Sequence, residues 1–223
     1  MIKAVLFDYD GVLVDSMDDH VSAWQEAFRR FDISIDPEEI LLREGSNSRD
    51  LALEIFGGRH REITEDELRE FVANKQRHYR EITRASVRPE AEVFIEYLRQ
   101  KSLRIGLVTG TARVNLEAVL PASIRSGFGV IVTADDVNNG KPHPESYLKA
   151  ARALRVEPQH CVVIENAPLG IQAARNAGMR VIALATTLPK KYLGAADFCA
   201  VDLLELQTKW ESDLAMTVTS MQG

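Results

Sequence analysis

Short apolar runs alternate with helix-like segments along this chain, and this alternation restricts its fold more than any other feature. The runs lie at 3–8, 104–109, 128–133, 161–164 and 180–185, with a weaker one at 197–201. A strand buried on both faces is apolar throughout, whereas a half-exposed strand alternates apolar and polar residues. The pattern therefore predicts an α/β fold, with a Rossmann-like parallel sheet as its core and helices on both faces of the sheet.

The stretch 17–85 shows helical patterns and no strand pattern. Ser16 followed by Asp19, and Thr64 followed by Glu67, each have the spacing of a capping box and predict the start of a helix. An all-helical segment thus interrupts the sheet after its first strand. We expect two domains with a cleft between them: an α/β catalytic core domain formed by 1–16 and 86–223, and an inserted helical cap domain at 17–85.

Charge and hydropathy exclude several classes of protein. The chain has 27 Lys and Arg against 33 Asp and Glu, a net charge of −6, which disfavours a nucleic-acid groove. No apolar stretch approaches the roughly 20 residues of a membrane span, and Asp8 interrupts the first apolar run, so no signal-peptide core is expected. We expect a cytoplasmic protein that binds neither nucleic acid nor membrane.

Two aspartates, Asp8 and Asp10, directly follow the first predicted strand, and Gly11 allows a sharp turn after them. Residues two apart on an extended chain face the same side, roughly 6–7 Å apart. One ionised aspartate can attack phosphorus while the other acts as acid and then as base. Two such charges repel by roughly 2.8 kcal/mol at an effective dielectric constant near 20, so we expect one carboxyl to stay protonated nearer to neutral pH. The alternative is that both are turn and cap residues.

Polar residues also follow three later predicted strands. They are Thr109, Gly110 and Thr111 after the second strand, Lys141 after the third, and Glu165 with Asn166 after the fourth. These supply a hydroxyl and backbone N–H groups for phosphate, a cation, and oxygen ligands of the kind that Mg²⁺ prefers. Each alone could be a turn residue, a solvated lysine or a helix cap. Because open parallel sheets bind ligands at the carboxyl ends of their strands, the set predicts one phosphoryl-transfer site that holds Mg²⁺.

The motifs FDYDGVLVDS, LVTGT, GKPHP and VVIENAPLGIQAA resemble those of the haloacid dehalogenase-like superfamily of aspartate-nucleophile phosphotransferases, over essentially the whole chain. The resemblance implies that Asp8 is the nucleophile and a Mg²⁺ ligand. It implies that Asp10 is the acid and base, whose backbone carbonyl also binds the metal, and that an aspartate at this position favours phosphate chemistry over dehalogenation. Thr109 and Lys141 would hold the phosphoryl group.

The resemblance further implies that Glu165 and Asn166 complete the metal site. Members of this subgroup commonly carry an aspartate where this chain has Asn166. The loss of one negative charge should weaken Mg²⁺ binding or transfer more of it to Glu165.

Three residues of the predicted cap are candidates for substrate binding: His20, Arg49 and Lys75. The local alternatives are that His20 is structural and that Lys75 extends along its helix to solvent, which are the usual readings of such residues, and that Arg49 is a surface arginine. DSMDDHVSAW, EGSNSR and KQRHY, however, resemble cap segments of β-phosphoglucomutase and related sugar-phosphate phosphatases, in which the corresponding residues face the active site. The segment 111–113 lacks the lysine of the mutase loop, which favours a phosphatase.

The sequence therefore predicts a Mg²⁺-dependent phosphatase that hydrolyses a small phosphorylated metabolite, a sugar phosphate, through an aspartyl-phosphate intermediate. The alternative is phosphoryl transfer within one substrate, as in a β-phosphoglucomutase. A lesser alternative is a sugar-phosphate sensor that has lost turnover.

Overall fold

The structure is a computed structural model, and it describes residues 1–210; the last part of the predicted core domain, 211–223, lies outside the described residues. Its strands are β1 (Ala4–Phe7), β2 (Val14–Asp15), β3 (Ser86–Val87), β4 (Arg104–Val108), β5 (Val130–Val132), β6 (Cys161–Glu165), β7 (Arg180–Leu184) and β8 (Phe198–Ala200). Six of them form one parallel sheet in the order β5-β4-β1-β6-β7-β8. This arrangement confirms the predicted fold class and all six predicted strands.

Ten α-helices lie within the described residues. They are α1 (Met17–Arg29), α2 (Pro37–Leu41), α3 (Ser48–Gly58), α4 (Glu65–Ile82), α5 (Pro89–Gln100), α6 (Arg113–Val119), α7 (Ala122–Arg125), α8 (Glu145–Ala153), α9 (Pro168–Asn176) and α10 (Leu203–Lys209). None of these helices is long and apolar enough to cross a membrane.

Helices cover both faces of the sheet because its central strands are apolar on both sides. Val5 and Phe7 of β1 belong to a hydrophobic cluster that includes Phe94 of α5. The alternate residue Leu6 belongs to a second cluster, which includes Tyr147 of α8. Successive side chains of a strand point to opposite faces, so a strand covered on both sides has to be apolar at every position, as β1 is.

Helices α1 to α4 form the segment between β2 and β3, and these two short strands pair antiparallel where the chain leaves and re-enters the sheet layer. The segment has a hydrophobic cluster of its own. Phe28, Phe56 and Phe71 lie at its centre, with ring centroids 4.8–5.4 Å apart. A separate core of this kind is typical of a domain, although the division of the chain into two domains stays a prediction.

The two predicted capping boxes behave differently. The box that begins at Thr64 is present, whereas the one predicted at Ser16 is wrong, because the Ser16 side chain makes no cap hydrogen bond. The Ser16 hydroxyl instead donates to Oδ1 of Asp10 at 2.7 Å, and Asp19 accepts from the Thr83 hydroxyl at 3.0 Å. The Ser16 hydroxyl is thus oriented as the donor of a charge-assisted hydrogen bond to the Asp10 carboxylate, and its oxygen accepts no hydrogen bond from the first turn of α1.

Candidate active site

The predicted site residues of the core lie at the carboxyl edge of the parallel sheet. Strand β1 is hydrogen-bonded to β4 on one side and to β6 on the other, so the residues that follow these three strands are neighbours. Asp8 follows β1, Thr109 follows β4, and Glu165 ends β6. This is the point at which open α/β sheets bind ligands.

Lys141 connects two carboxylates in the centre of the site. Its Nζ lies 2.5 Å from Oδ1 of Asp8 and 2.7 Å from Oε1 of Glu165, and all three residues are buried. The two carboxylates raise the pKa of the Lys141 ammonium well above its usual value, against the opposing effect of burial. Lys141 is therefore a permanent cation beside the predicted nucleophile.

Both carboxylate oxygens of Glu165 are occupied by hydrogen-bond donors. Oε1 accepts from Lys141 and from the Tyr147 hydroxyl, the latter at 3.1 Å. Oε2 accepts from the backbone N–H groups of Asn166 at 2.7 Å and Ala167 at 2.8 Å. A carboxylate has about four acceptor positions, and four donors fill them here. Glu165 thus holds Lys141 in place, and its predicted role as a metal ligand stays a prediction.

The Asn166 side chain has the opposite property, a buried oxygen without a partner. Its Nδ2 donates to Oγ1 of Thr187 at 3.0 Å, while its Oδ1 has no hydrogen-bond partner among the described residues. Gly11 makes room for the amide, since a Cβ at that position would lie 2.3 Å from Nδ2. A buried oxygen without a partner lowers the stability of the fold. Because Thr187 binds the nitrogen end of the amide, the oxygen end is the one that is left unpaired.

Asp10 accepts hydrogen bonds from three side chains. The donors are the Ser16 hydroxyl at 2.7 Å, the Thr111 hydroxyl at 2.6 Å, and Nε2 of His20 at 3.2 Å. Burial alone would raise the pKa of Asp10, but the interaction with His20 and the hydrogen bonds from Ser16 and Thr111 outweigh it and lower the pKa to about 2. Asp10 is therefore ionised in this arrangement.

The pKa of Asp8 changes in the other direction. Burial raises it well above its usual value, Lys141 opposes the rise, and the charges of Glu165 and Asp10 add to it. Of the two carboxyls, Asp8 is the one whose pKa is raised, and burial contributes more to that rise than the charge of Asp10 does. A nucleophilic carboxylate has to be deprotonated, and positive charge beside Asp8, such as that of Lys141, favours this form.

The segment after β4 combines a buried hydroxyl with exposed backbone. Thr109 is buried, and its hydroxyl accepts from the backbone N–H of Thr111 at 2.9 Å. Gly110 and Thr111 line the cleft beside Asp8 and Asp10. The structure thus brings these predicted phosphate-binding residues to the carboxylate pair.

Two of the three cap candidates reach the cleft. Lys75 is only 4% exposed, so the alternative in which it extends to solvent is wrong. Its Nζ lies 2.9 Å from Nδ1 of His20 and is 4.7 Å from the ring centre of Trp24, and the His20 ring stacks on Tyr79 at 4.0 Å. His20 in turn contacts Asp10, so a continuous chain of contacts joins the cap to the predicted acid and base.

Arg49 is not among the residues that line the cleft. Its guanidinium pairs with Glu65 at 2.6 Å, and its side chain is 49% exposed. Its predicted role in substrate binding stays a prediction, and the structure gives it a surface ion pair.

Comparison with known proteins agrees with this geometry. The family described as haloacid dehalogenase-like hydrolase matches residues 2–178. This chain belongs to that family. It is 32% identical over 219 residues to validoxylamine A 7′-phosphate phosphatase of Streptomyces hygroscopicus subsp. limoneus, covering 93% of this chain and 97% of that protein. It is also 32% identical over 222 residues to β-phosphoglucomutase of Bacillus subtilis, covering 96% and 92%.

A solved structure supports the same assignment. The crystal structure of β-phosphoglucomutase from Clostridium difficile superposes with a TM-score of 0.81 at 26% identity, covering 96% of this chain and 100% of that one. As a haloacid dehalogenase-like hydrolase with phosphatases among its relatives, the protein is an enzyme, and the predicted resemblance is confirmed.

Haloacid dehalogenase-like hydrolases generally use Mg²⁺. In the described part of this chain the site lacks a cluster of acidic ligands but offers two oxygen ligands. No three His, Cys, Asp or Glu side chains within residues 1–210 form a group that could hold a metal. The unpaired Oδ1 of Asn166, however, is buried at the site, and Lys141 occupies only one of the two oxygens of Asp8. An amide oxygen and a carboxylate oxygen are ligands that Mg²⁺ accepts, with water completing its coordination.

One residue of this hydrolase was missed by sequence reasoning. Glu44 lies in the loop after α2 and lines the cleft together with Asp8, Asp10 and Lys75. Its only sequence signal is its place at the start of EGSNSR, a segment in which Arg49 is the obvious candidate. The fold brings Glu44, and not Arg49, to the carboxylates.

Proposed function

We propose that the protein is a Mg²⁺-dependent phosphatase that hydrolyses a small phosphorylated metabolite, a sugar or polyol phosphate, through a phosphorylated Asp8. The observation that carries the proposal is the cluster at the sheet edge, where Lys141 lies 2.5 Å from Asp8. Asp10 and Thr111 lie at the same edge and are hydrogen-bonded at 2.6 Å. A nucleophile, a fixed cation, a second carboxylate and a hydroxyl are the groups that phosphoryl transfer requires.

In the first step, a carboxylate oxygen of Asp8 attacks phosphorus. The new O–P bond forms as the bond between phosphorus and the leaving oxygen breaks, and Asp10 donates a proton to that oxygen. The contacts with His20, Ser16 and Thr111 hold the pKa of Asp10 near 2. Asp10 therefore has to acquire its proton when substrate replaces at least one of these contacts.

In the second step, Asp10 acts as a base. It takes a proton from a water molecule as the water oxygen attacks phosphorus, and the bond to Asp8 breaks to release inorganic phosphate. Lys141 stabilises the negative charge of the phosphoryl group in both steps, because its ammonium is fixed before the reaction begins.

Asp8 and the unpaired Oδ1 of Asn166 would hold Mg²⁺, together with the backbone carbonyl of Asp10 that the family resemblance implies. When bound, the ion supplies positive charge that shields the phosphoryl group from the carboxylates and favours the ionised form of Asp8. Thr187 orients the Asn166 amide for this purpose.

The mutase alternative requires a second phosphate-binding group in the cleft. Arg113, at the start of α6 after β4, does not provide it. Its guanidinium pairs with Asp136 at 2.8 Å, and it is not among the cleft residues. The contact favours a phosphatase, although β-phosphoglucomutase is among the relatives.

The names of the relatives support a hydroxyl-rich substrate. Fructose-1-phosphate phosphatase and hexitol phosphatase A of Escherichia coli, which are 30% and 34% identical to this chain, are named for a sugar phosphate and for polyols. The residues that line the cleft include polar side chains such as His20 and Ser48. A cytoplasmic location also stays a prediction.

The test is a phosphate-release screen over a panel of sugar, polyol and carboxylic-acid phosphates, with Mg²⁺ and with a chelator. Release from hydroxyl-rich esters that the chelator abolishes is expected. Asp8→Asn should lower kcat more than about 1000-fold, since the loss of a nucleophile removes the covalent route. Asp18→Asn, at an exposed position of α1, is the matched control.

Other outcomes of the screen identify the alternatives. Binding of sugar phosphates without any release would indicate the sensor. An isomerised product from β-glucose 1-phosphate that appears only with the bisphosphate would indicate the mutase. Appreciable turnover by Asp8→Asn would refute the covalent route.

A further inference from the structure

The loop after α2 lies directly against the core part of the site. Gly45 has a left-handed backbone (φ +88°), and a Cβ there would lie 3.0 Å from Cδ of Lys141. A Cβ at Gly110 would lie 3.2 Å from the carbonyl oxygen of Gly45. These close approaches fix the position of the loop, and the residue before Gly45 therefore has a defined place above the sheet edge.

That residue is Glu44, whose side chain has no hydrogen-bond or ion-pair partner within residues 1–210. It lines the cleft beside Asp8 and Asp10. Burial raises its pKa well above the usual value, and the charges of Asp10 and Asp8 raise it further. A carboxylate placed among carboxylates is unfavourable for folding, so a functional role has to be considered.

The cations around the cleft do not neutralise Glu44. Arg43 lines the cleft, but its guanidinium binds Glu54 and the backbone carbonyl of Glu39, each at 2.9 Å. Lys141 is bound between Asp8 and Glu165 as described above. Lys75 supplies positive charge to the cleft, and its Nζ is directed to His20.

We propose that Glu44 determines substrate specificity, accepting hydrogen bonds from hydroxyl or ammonium groups on the leaving group and disfavouring substrates that carry a second anionic group. The inference rests on the proposed phosphatase function and adds the chemistry of the part of the substrate that is not transferred.

The physical reason lies in what a carboxylate can bind. Hydrogen-bond donors on a bound substrate favour the ionised form of Glu44, against the effect of its raised pKa. The oxygens of that form are acceptors only, so they are complementary to the O–H groups of a polyol or to an ammonium group. A hydrogen bond to a charged group contributes about 1.5–3 kcal/mol, which corresponds to roughly 10- to 150-fold in affinity. A second phosphate at the same place would meet like charge, which costs affinity.

Glu44→Gln tests the proposal, because it keeps the shape of the side chain and removes its charge. Glu62→Gln, at an exposed position of the cap, is the matched control. The substrates are a hexitol monophosphate, phenyl phosphate, which has no hydroxyl on its leaving group, and a hexose bisphosphate. For Glu44→Gln we expect KM for the hexitol phosphate to rise about tenfold with kcat within twofold.

Phenyl phosphate should be hydrolysed by Glu44→Gln as it is by the wild type. The ratio of kcat/KM for the bisphosphate to that for the hexitol phosphate should rise at least tenfold, and Glu62→Gln should change neither. Glu44→Asp, which keeps the charge, should retain a KM for the hexitol phosphate closer to wild type than Glu44→Gln.

Two failures are distinguishable. If the wild type releases phosphate from none of the three esters, the proposed phosphatase function and the role of Glu44 are both wrong. If the wild type is active and Glu44→Gln leaves all three KM values and the ratio unchanged, only the role of Glu44 is wrong. An equal loss on phenyl phosphate and hexitol phosphate would also overturn it, because that result indicates a damaged site and not a lost contact with hydroxyl groups.

Discussion

Lys75 is a buried cation, and its replacement should make the protein more stable at neutral pH while impairing the site. Its side chain is almost fully buried in the cap. Burial lowers the pKa of Lys75 from 10.5 to about 8, against the attraction of Asp10 and Glu44. The folded protein therefore holds this proton less tightly than the unfolded chain does, and ionised Lys75 opposes folding at pH 7.

The size of the effect follows from the shift. Each pKa unit corresponds to about 1.4 kcal/mol, so a shift from 10.5 to about 8 costs roughly 3 kcal/mol below pH 8. The cost diminishes as pH rises from about 8 to 10.5, because the folded protein has then released the proton while the unfolded chain still holds it, and proton binding stabilises the unfolded chain less as pH rises. Cation–π contacts with Trp24 and Tyr79 offset part of it.

Lys75→Met keeps an unbranched side chain and removes the charge. At pH 7 the variant should be more stable than the wild type. This difference in the free energy of unfolding should decrease by roughly 2–3 kcal/mol between pH 7 and pH 10. Urea titrations followed by tryptophan fluorescence at several pH values measure it. Subtracting the wild-type value at each pH removes the contribution of the groups that titrate in both proteins.

Lys3→Met, at an exposed position, reports the effect of removing a surface positive charge at each pH. A stability difference for Lys75→Met that stays constant across the interval, or increases with pH, would show that Lys75 is not a desolvated ammonium in the folded protein. The same variant should lose phosphatase activity at pH 7, since it removes a cation from the cleft.

Further predictions concern the packing and metal binding of the core. A Cβ at Gly170 would lie 1.6 Å from Oε1 of Glu165, so Gly170→Ala should lower the free energy of unfolding by about 3 kcal/mol or more in urea titrations. Gly194→Ala is the control, because a Cβ at Gly194 would meet nothing within 4 Å, and it should leave the free energy of unfolding nearly unchanged. Asn166→Asp restores a negative charge and should increase the rise in Tm that Mg²⁺ produces; an unchanged rise would place the ion elsewhere. Thr187→Val removes the partner of the Asn166 amide and should reduce the same Tm rise, a result that a purely structural threonine would not give.

The sheet and the position of the site could be predicted because both follow from local patterns. Val5, Leu6 and Phe7 are apolar without interruption, which a strand needs only when it is covered on both faces. Once the sheet is parallel, Asp8 and Glu165 must meet at one edge, since each stands at the carboxyl end of its strand. No knowledge of side-chain packing is needed for either step.

What could not be predicted depends on contacts between distant residues. Ser16 has the spacing of a helix cap, and only the folded site shows that Asp10 takes its hydroxyl. Glu44 and Arg49 lie five residues apart in one polar segment, and the local sequence favours the arginine as an anion-binding group. The close approach of Gly45 to Lys141 places Glu44, and not Arg49, beside the carboxylates. That contact joins positions far apart in the chain and cannot be predicted from the local sequence.

The hydrogen bonds of Glu165 indicate how this chain could function with an amide at Asn166, where the family resemblance implies a carboxylate. With Lys141, Tyr147 and two backbone N–H groups filling its oxygens, Glu165 balances the charge of Lys141. If it bound Mg²⁺ directly, it would have to give up one of these donors, and Lys141 would lose a restraint beside Asp8. A neutral ligand at Asn166 avoids placing a further negative charge next to two buried carboxylates. We therefore expect Mg²⁺ to bind more weakly than it would to an aspartate at this position, while Lys141 stays fixed by Glu165 whether or not the metal is bound. The metal-free protein should then keep its folded core.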